Sequence, residues 1–338
     1  MIEDNYPIDF VVTWVDGNDP VWQAEKAKYA PHLDEDARNV RYRDWDNMQY
    51  WFRAVEKFAP WVNKIHFVTY GHLPKWLNTD NPKLHIAKHS DFIPAKYLPT
   101  FCSRPIELNL HRIPGLAEHF VYFNDDMFLL KPVTRKLFFG IGRLPTDFAI
   151  RSDLSVADKN DTVQFTKLNN IILINSHFDK KVQMKKNWSK WINLDYGWNA
   201  LRNLIFFGEH HFRCFANNHL AFSYLRKTFI DLWKAEPEEL NATCMHKFRT
   251  RLDVNQWVFR YWQLAKGDFS PIGRHVKGSV YEVYNGVAQN QELFDIIENQ
   301  KMPMICINDN ENIDFKPMEK RLKEAFNKIL PEKSSFEK

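Results

Sequence analysis

The chain has 338 residues, of which 44% are hydrophobic and 26% are charged, so it can bury a substantial core and does not resemble a disordered chain. Its formal net charge of +4 at pH 7 is mild and argues against a nucleic-acid-binding protein, which concentrates basic residues in a stripe or tail. The 27 Phe, 12 Tyr and 12 Trp residues suit a core, and Trp and Tyr also suit sugar sites; composition does not choose between these uses.

The first third of the chain alternates strand and helix patterns. The apolar, β-branched run 8–15 predicts a strand that ends at the turn sequence 16–20. Apolar residues spaced by three and four predict a helix that Asp44 caps and Pro60 closes, and a second helix is predicted over 105–113. Further strands are predicted at 65–70, 84–87 and 120–123. This order favours a mostly parallel sheet covered by helices.

Patterns in the rest of the chain are more helical. Segments 147–150 and 170–174 resemble strands, 304–307 predicts a returning strand, and amphipathic spacing predicts helices over 220–233, 254–265 and 318–330. We therefore expect an α/β fold, GT-A-like or Rossmann-like, with a helical layer added in the C-terminal half. The expected division is a nucleotide-sugar-binding core over 1–190 and, over 191–338, a helical layer with the returning strand that completes the active site.

The cysteines and the N-terminal segment bear on the compartment. The four cysteines contain no CxxC pair, which argues against a zinc site or a disulfide framework and favours a reducing cytoplasm. Residues 1–10 lack the basic and apolar regions of a signal peptide, and no stretch reaches the ~18 apolar residues of a membrane span. The basic run 180–186 is interpreted as a solvated face, with contact to an anionic membrane or polymer as the alternative.

Acidic and amide side chains follow three predicted strands, where ligands bind in open parallel sheets. Adjacent carboxylates are costly there unless a cation shares their charge, and Mg²⁺ or Mn²⁺ bridging to a substrate phosphate is the usual solution. The alternative for Asp125 and Asp126 is a simple turn. The three groups are Asp16, Asn18 and Asp19; Asn124, Asp125 and Asp126; and Asn308 and Asp309.

The segment around the helix predicted over 105–113 is also dense in polar groups. Glu107 and His111 are four apart, hence on one helix face, with Arg112 beside them, and a surface ion pair is the alternative to a binding role. Ser103 could cap this helix or bind phosphate at its start. Further along, His219 could act as a general base and Arg249 could hold phosphate oxygens, although each could equally be structural.

The chain resembles the Stealth family, the hexose-1-phosphoryl transferases of bacterial capsule synthesis that share a core with animal GlcNAc-1-phosphotransferase. The resemblance lies in four blocks that occur in the expected order and cover most of the chain. They are Ile8–Pro20, Arg41–Asp126, about 190–265 (with His219, Arg249 and Asp253–Trp257) and Cys306–Asn310.

This resemblance implies a UDP-sugar donor, a glycan acceptor, Mg²⁺ or Mn²⁺, and release of UMP. It implies that Asp125 and Asp126 lie near the metal or phosphate, that His219 is the catalytic histidine and that Arg249 binds phosphate. Asn308 and Asp309 would be a further metal- or donor-binding pair. Asp126 and Asp16 are carried as further catalytic candidates; Asp16 is a second candidate base.

Two other functions remain open from the sequence. One is a conventional metal-dependent glycosyltransferase that releases UDP, and the other is a non-catalytic carbohydrate-binding scaffold. The expected location is the cytoplasm, and peripheral association with membrane capsule machinery at the inner membrane face is left open.

Overall fold

A computed structural model of the chain describes residues 6–29, 42–156 and 161–338. Arg41, the first residue of the second Stealth-like block, lies outside these ranges. The strands within the described ranges are β1 Ile8–Thr13, β2 Ile65–Thr69, β3 Leu84–Lys88, β4 His119–Phe123, β5 Met127–Leu129, β6 Thr146–Asp147, β7 Phe222–Leu225, β8 Ser270–Pro271, β9 Gly278–Glu282 and β10 Met304–Asn308.

Helices alternate with these strands at first and dominate later. They are α1 Pro20–Ala27, α2 Met48–Phe58, α3 His89–Phe92, α4 Ser103–Asn109, α5 Thr162–His177, α6 Lys180–Lys186, α7 Trp188–Trp191, α8 Asn199–Ile205, α9 Arg226–Ala235, α10 Pro237–Met245, α11 Trp257–Lys266, α12 Gln291–Glu298 and α13 Phe315–Ile329. Within the described ranges, no helix is both long enough and apolar enough to cross a lipid bilayer.

The main sheet has the order β3-β2-β1-β4-β7. Strands β1 to β4 are parallel, and β7 pairs antiparallel with β4. A smaller sheet, β5-β10-β9, adjoins it because β5 follows β4 almost directly, and β6 pairs with β8 in a third. The predicted α/β class, the mostly parallel sheet and the helical C-terminal layer are confirmed.

The main sheet is buried on both faces because successive side chains of a strand point in opposite directions. Phe10 and Val12 belong to a core with α2, α12 and α13, whereas Val11 belongs to a core with α4, α5 and α9 to α11. Both cores contain residues from the second half of the chain. The division at residue 190 therefore stays a prediction.

In two segments the sequence predicted the wrong kind of element. Part of the helix predicted over 220–233 is β7, because the alternating aromatic residues Phe222 and Tyr224 pack on a pleated surface, and the helix begins only at Arg226. The strand predicted over 170–174 lies inside α5, whose start is capped by Asp161 accepting from the Gln164 amide. Short apolar runs do not distinguish strand from helix by periodicity alone.

Candidate active site

The carboxyl ends of β1 and β4 meet at the position where the strand order reverses. In open α/β sheets this reversal leaves a crevice in which ligands bind. The two strands end level, since Val12 pairs with Phe123, and Thr13 Oγ1 lies 3.1 Å from Tyr122 Oη. Residues that follow these two strands therefore face one crevice.

Five acidic residues lie at this edge, and together they are named the carboxylate group: Asp16, Asp44, Asp125, Asp126 and Asp309. Burial raises the pKa of Asp125 to about 8, with added repulsion from Asp126, Asp44 and Asp309. Burial likewise raises the pKa of Asp44 to about 6, with repulsion from Asp46 and Asp16. The charges act on one another, so the five residues form one electrostatic unit.

Asp44 was predicted only as a helix cap. The structure instead begins α2 at Met48, after Asn47, and places Asp44 within the carboxylate group. Its carboxylate oxygen accepts from the Asp46 amide at 2.9 Å. Sequence patterns did not single out this acidic residue because it does not follow a strand.

The end of β10 approaches the same edge through its pairing with β5. The Ile307 amide donates to the Asp126 carbonyl at 2.8 Å, and Cys306 pairs with Met127. Arg43 donates to both oxygens of Asp309, at 2.7 and 2.5 Å, and to the Asn310 carbonyl. The predicted ligand Asp309 therefore has a guanidinium partner, and the sequence analysis did not identify Arg43 as a site residue.

Asn308, the other predicted ligand on β10, has a different partner. Its amide nitrogen donates to Glu282 at 2.6 Å, across the pairing of β10 with β9. The structure thus places Asn308 near the edge but engages its side chain with the neighbouring strand.

His219 lies against the carboxylate group, as predicted. The Asn124 amide nitrogen lies 3.1 Å from His219 Nε2, and Cys306 Sγ lies 3.8 Å from Nδ1. Donor atoms of Asp126, His219 and Cys306 all lie within 4.8 Å of one another. The structure thereby brings together residues from the turn after β4, from β10 and from the segment before β7.

Buried hydrogen bonds hold the segment that carries His219. Arg260 is fully buried and donates to both oxygens of Asp147 at 2.8 Å and to Asn217 Oδ1 at 2.5 Å. Asn218 donates to the Arg274 carbonyl and accepts from Arg274 Nε. The two residues before His219 are therefore fixed from two sides, which sets the position of the imidazole.

The donor set at this edge fits a hard divalent cation. Asp126 Oδ1 is buried and has no hydrogen-bond partner among the described residues. Repulsion within the carboxylate group is the condition that a cation relieves, and Mg²⁺ and Mn²⁺ take oxygen ligands. Burial holds the pKa of Cys306 well above its usual value, so it remains a thiol, which is a poor ligand for such a cation.

The turn after β1 contributes a second part of the edge. The Asp16 amide donates to His72 Nε2 at 2.8 Å, and Asp19 caps α1 by accepting from the Trp22 amide. Burial lowers the pKa of His72, which keeps the ring neutral. Sequence patterns did not identify His72, although it follows β2 at the same edge.

Two further residues shape this turn. Asn18 donates its amide to Asp16 Oδ1 at 2.9 Å. A Cβ at Gly17 would lie 2.0 Å from the Tyr42 carbonyl oxygen, so only glycine allows this close approach of two backbones. The turn therefore holds Asp16 toward the crevice while it leaves room for the segment that carries Arg43 and Asp44.

Ser103 and Arg249 form a polar pair on the α1 side of the edge. Arg249 Nη2 donates to Ser103 Oγ at 3.3 Å. Their neighbours Phe101 and Phe248 stack on one another and pack with Trp22 of α1. The structure thus joins Ser103 and Arg249, which the sequence offered separately as phosphate-binding residues.

The other predicted residues of α4 do not share one face of the site. Glu107 is buried and its carboxylate accepts from the Gln256 amide at 3.4 Å. His111 packs against Phe229 and Trp233, and burial lowers its pKa to about 3.

His111 and Arg112 lie at the opposite edge of the sheet. Arg226 directly follows β7 and lies near the first residue of β4. Its side chain donates to the His111 carbonyl, and its backbone amide donates to the Glu118 carbonyl. Arg112 lies over the Trp233 ring. The helix was expected to carry them to the crevice, but it ends at Asn109 and a short 3-10 turn takes the chain away.

The chain is similar to known proteins over nearly its full length. Residues 6–34 match the family model for Stealth protein conserved region 1, and residues 41–146 match that for conserved region 2. A capsular polysaccharide phosphotransferase, WcwK of Streptococcus pneumoniae, is 42% identical over 98% of this chain and 99% of its own length.

Two further relatives and one solved structure are also similar to the chain. A receptor polysaccharide phosphotransferase of Streptococcus oralis is 38% identical over 98% of this chain and 99% of its own length. An exopolysaccharide phosphotransferase of Lactiplantibacillus plantarum is 36% identical over 98% of this chain and 97% of its own. The WbbM bifunctional glycosyltransferase structure aligns with 96% of this chain and 50% of its own, with a TM-score of 0.40 and 9% identity. The chain belongs to the Stealth family and is a phosphotransferase.

Proposed function

We propose that this phosphotransferase moves a hexose-1-phosphate, preferably that of an N-acetylhexosamine, from a UDP-sugar to a hydroxyl of a glycan acceptor. UMP is the second product, and the reaction serves capsule or exopolysaccharide synthesis. One observation carries the proposal: His219 and the carboxylate group converge at the crevice of a chain that aligns over nearly its full length with polysaccharide phosphotransferases.

The proposed chemistry is an in-line displacement at the β-phosphorus. The acceptor hydroxyl oxygen forms a bond to this phosphorus while the bond from phosphorus to the bridging oxygen breaks. The electron pair remains with UMP, and the hydroxyl proton passes to His219. This reaction needs positioning and charge neutralisation more than covalent help from the protein.

Asp125 and Asp126 would hold a divalent cation, with Asp44 as a further oxygen ligand. The cation would neutralise phosphate charge and orient the diphosphate. Arg249 and Ser103 would bind phosphate oxygens on the α1 side, since a guanidinium offers a planar fork of donors. Asp16 is a second candidate base at the mouth of the same crevice.

His219 has two competing roles in this site. Its contact with Asn124 fixes the imidazole plane, which suits a general base. Its approach to Asp126 would also suit a metal ligand. We assign the proton transfer to His219 because the carboxylate group already supplies the oxygen ligands that Mg²⁺ and Mn²⁺ prefer.

We place the reaction in the cytoplasm, at the inner face of the membrane. The four cysteines are buried free thiols, which a reducing compartment maintains. The proposed partners are the UDP-sugar donor and the glycan acceptor.

The nucleotide product tests the proposal. The protein is incubated with a panel of UDP-sugars, Mg²⁺ or Mn²⁺ and a glycan acceptor, and nucleotides are separated by chromatography. UMP formed in step with a phosphodiester-linked sugar is expected. UDP as the product would instead identify a conventional glycosyltransferase. The variant Asp126→Asn should lose the activity, and Asp80→Asn, an exposed aspartate remote from the crevice, should keep it.

A further inference from the structure

A short stretch of the C-terminal half exposes an unusual number of large apolar side chains. Within it, the exposed fractions reach 94% for Leu194, 86% for Trp198 and 73% for Ile205. Scattered apolar residues are normal on protein surfaces, but a concentration of them marks an interaction site. The apolar patch consists of Trp188, Leu194, Trp198, Leu201, Leu204 and Ile205.

Helix α8 has the reverse of the usual amphipathic arrangement. Its single buried residue is Asn203, whose amide nitrogen donates to the carbonyls of Ala149 at 2.6 Å and Trp191 at 2.7 Å. Leu201 and Ile205 are four apart and therefore share an exposed face. A surface helix normally turns its apolar stripe to the core. Helix α8 is held by a polar anchor and presents its apolar side chains to the outside.

The patch is preformed because neighbouring helices are tied together. Asn203 links α8 to α7 at Trp191, and Lys180 of α6 donates to the Phe206 carbonyl, just after α8. The buried Tyr196 hydroxyl donates to the Lys190 carbonyl at 2.8 Å. These bonds fix α6, α7 and α8 as one block, so the exposure is a property of the folded chain.

The charge of this block is strongly positive. Residues 180–205 contain six basic residues and one acidic residue, Asp195. Lys180 pairs with Glu209 and Arg202 with Asp153. In the part of the chain that the structure describes, no ion pair involves Lys181, Lys185 or Lys186, which lie within the seven residues before Trp188.

From this juxtaposition we propose that the apolar patch and the lysines of α6 dock the enzyme on an anionic lipid membrane surface. The inference rests on the proposed reaction at the inner membrane face and names the surface that makes the contact. Tryptophan and aliphatic side chains enter the headgroup boundary, and lysines beside them are attracted to anionic lipids.

Two other occupants fit the surface less well. A glycan would use the flat rings of Trp188 and Trp198, but it gains little from the branched aliphatic side chains of Leu201 and Ile205. A second copy of the chain would bring like positive charge against the lysines of α6, which costs binding energy. An anionic bilayer satisfies both the apolar and the basic part.

Sedimentation with lipid vesicles tests the proposal. The full chain is mixed either with vesicles of phosphatidylcholine alone or with vesicles that also contain about 30% phosphatidylglycerol, which is anionic. Binding is expected only with the anionic vesicles, and it should fall as salt rises. Trp198→Ser with Ile205→Ser should weaken binding by about tenfold or more, since both side chains are exposed and the fold should persist.

Matched variants separate the apolar and the charged contributions. Val21→Ser with Val276→Ser removes two exposed apolar residues elsewhere and should leave binding unchanged. Lys185→Glu with Lys186→Glu should abolish the preference for anionic vesicles. Circular dichroism confirms that each variant is folded.

Several results would overturn the inference. One is a wild-type protein that stays in the supernatant with anionic vesicles, and another is equal vesicle binding by all variants. A dimer that the Trp198→Ser, Ile205→Ser variant turns into monomer, without vesicle binding, would assign the surface to a second copy. If that variant loses binding to purified polysaccharide but binds vesicles as the wild type does, the surface would be assigned to a glycan. Transfer to a water-soluble acceptor, measured on the same variants, reports separately on the proposed function and should be unchanged.

Discussion

Binding of a divalent cation should release a proton from Asp125. The pKa of this carboxyl is raised from 3.8 to about 8 by burial and by the charges of Asp126 and Asp44. It is therefore about nine-tenths protonated at pH 7 and about one-tenth protonated at pH 9. Because the cation binds the carboxylate form, binding should release about 0.9 proton at pH 7 and about 0.1 at pH 9.

The same linkage sets the pH dependence of affinity. Protonation of Asp125 competes with the cation, so the affinity for Mg²⁺ should rise about ninefold from pH 6 to 7 and about fivefold from pH 7 to 8, and level off above. The pKa of Asp44 is raised to about 6, so cation binding releases a second proton from this residue only near or below pH 6. Since the pKa of Asp125 is about 8 in the folded protein against a model value of 3.8, the metal-free protein should lose stability as pH rises from about 4 to about 8, and this group should cause no further loss above pH 8.

Isothermal titration calorimetry with Mg²⁺ or Mn²⁺ in two buffers of different ionisation enthalpy counts the released protons. In Asp125→Asn nothing remains to ionise at this position, so the release at pH 7 should vanish, whereas Asp80→Asn should behave as wild type. Metal binding to the wild-type protein at pH 7 without proton release would refute the electrostatic reasoning about the carboxylate group.

Three further predictions follow from the contacts around the crevice. Asp147→Asn leaves the buried Arg260 without its charge partner and should lower the free energy of unfolding in urea by about 3 kcal/mol, whereas Asp153→Asn, at an exposed site, should change it by less than about 0.5 kcal/mol. An unchanged urea midpoint in Asp147→Asn would contradict the proposed anchoring of the His219 segment. His219→Ala should lower kcat by ~10²-fold if the imidazole takes the hydroxyl proton, with the exposed His275→Ala as control, and near-normal turnover would remove His219 from the mechanism. Arg249→Lys keeps the charge but loses the fork of donors, so the KM for the UDP-sugar should rise about tenfold while Arg213→Lys has no effect; an unaltered KM would speak against phosphate binding by Arg249.

The sequence predicted those parts of the fold in which local pattern and tertiary environment agree. Strands β1, β2 and β4 are parallel and buried on both faces, and their largely apolar sequences identify them. Strand β7 was missed because a short apolar segment fits a strand and a helix equally well. Its pairing with β4, which is a tertiary contact, decides between the two. The strand expected within α5 has the same explanation.

The sequence predicted a shared position for those candidate residues that directly follow strands. Asp125, Asp126 and Asp16 could be assigned to one edge because parallel strands end together. Arg43, Asp44 and His72 could not, since their approach to the crevice depends on the path of loops rather than on a local pattern. The ion pair of Arg43 with Asp309 joins residues far apart in the chain, and no spacing in the sequence announces it.

The α4 segment shows the limit of helical periodicity. Glu107 and His111 have the spacing of one helix face, yet the helix ends at Asn109 and the two side chains have different surroundings. A periodic pattern predicts which residues share a face only while the helix continues. Helix α4 packs against α10 and the 3-10 turn that follows it packs against α9, which are tertiary contacts that local sequence does not reveal.

The destination of the β-phosphate tests the central claim most directly. A UDP-sugar labelled with ³²P at the β-phosphate is incubated with the protein, Mg²⁺ or Mn²⁺ and the glycan acceptor, and the label is followed by chromatography. The account predicts that the label appears in the acceptor product, as a phosphodiester, and that the nucleotide released is unlabelled UMP. Label that stays with the nucleotide as UDP, together with transfer of an unphosphorylated sugar, would contradict it.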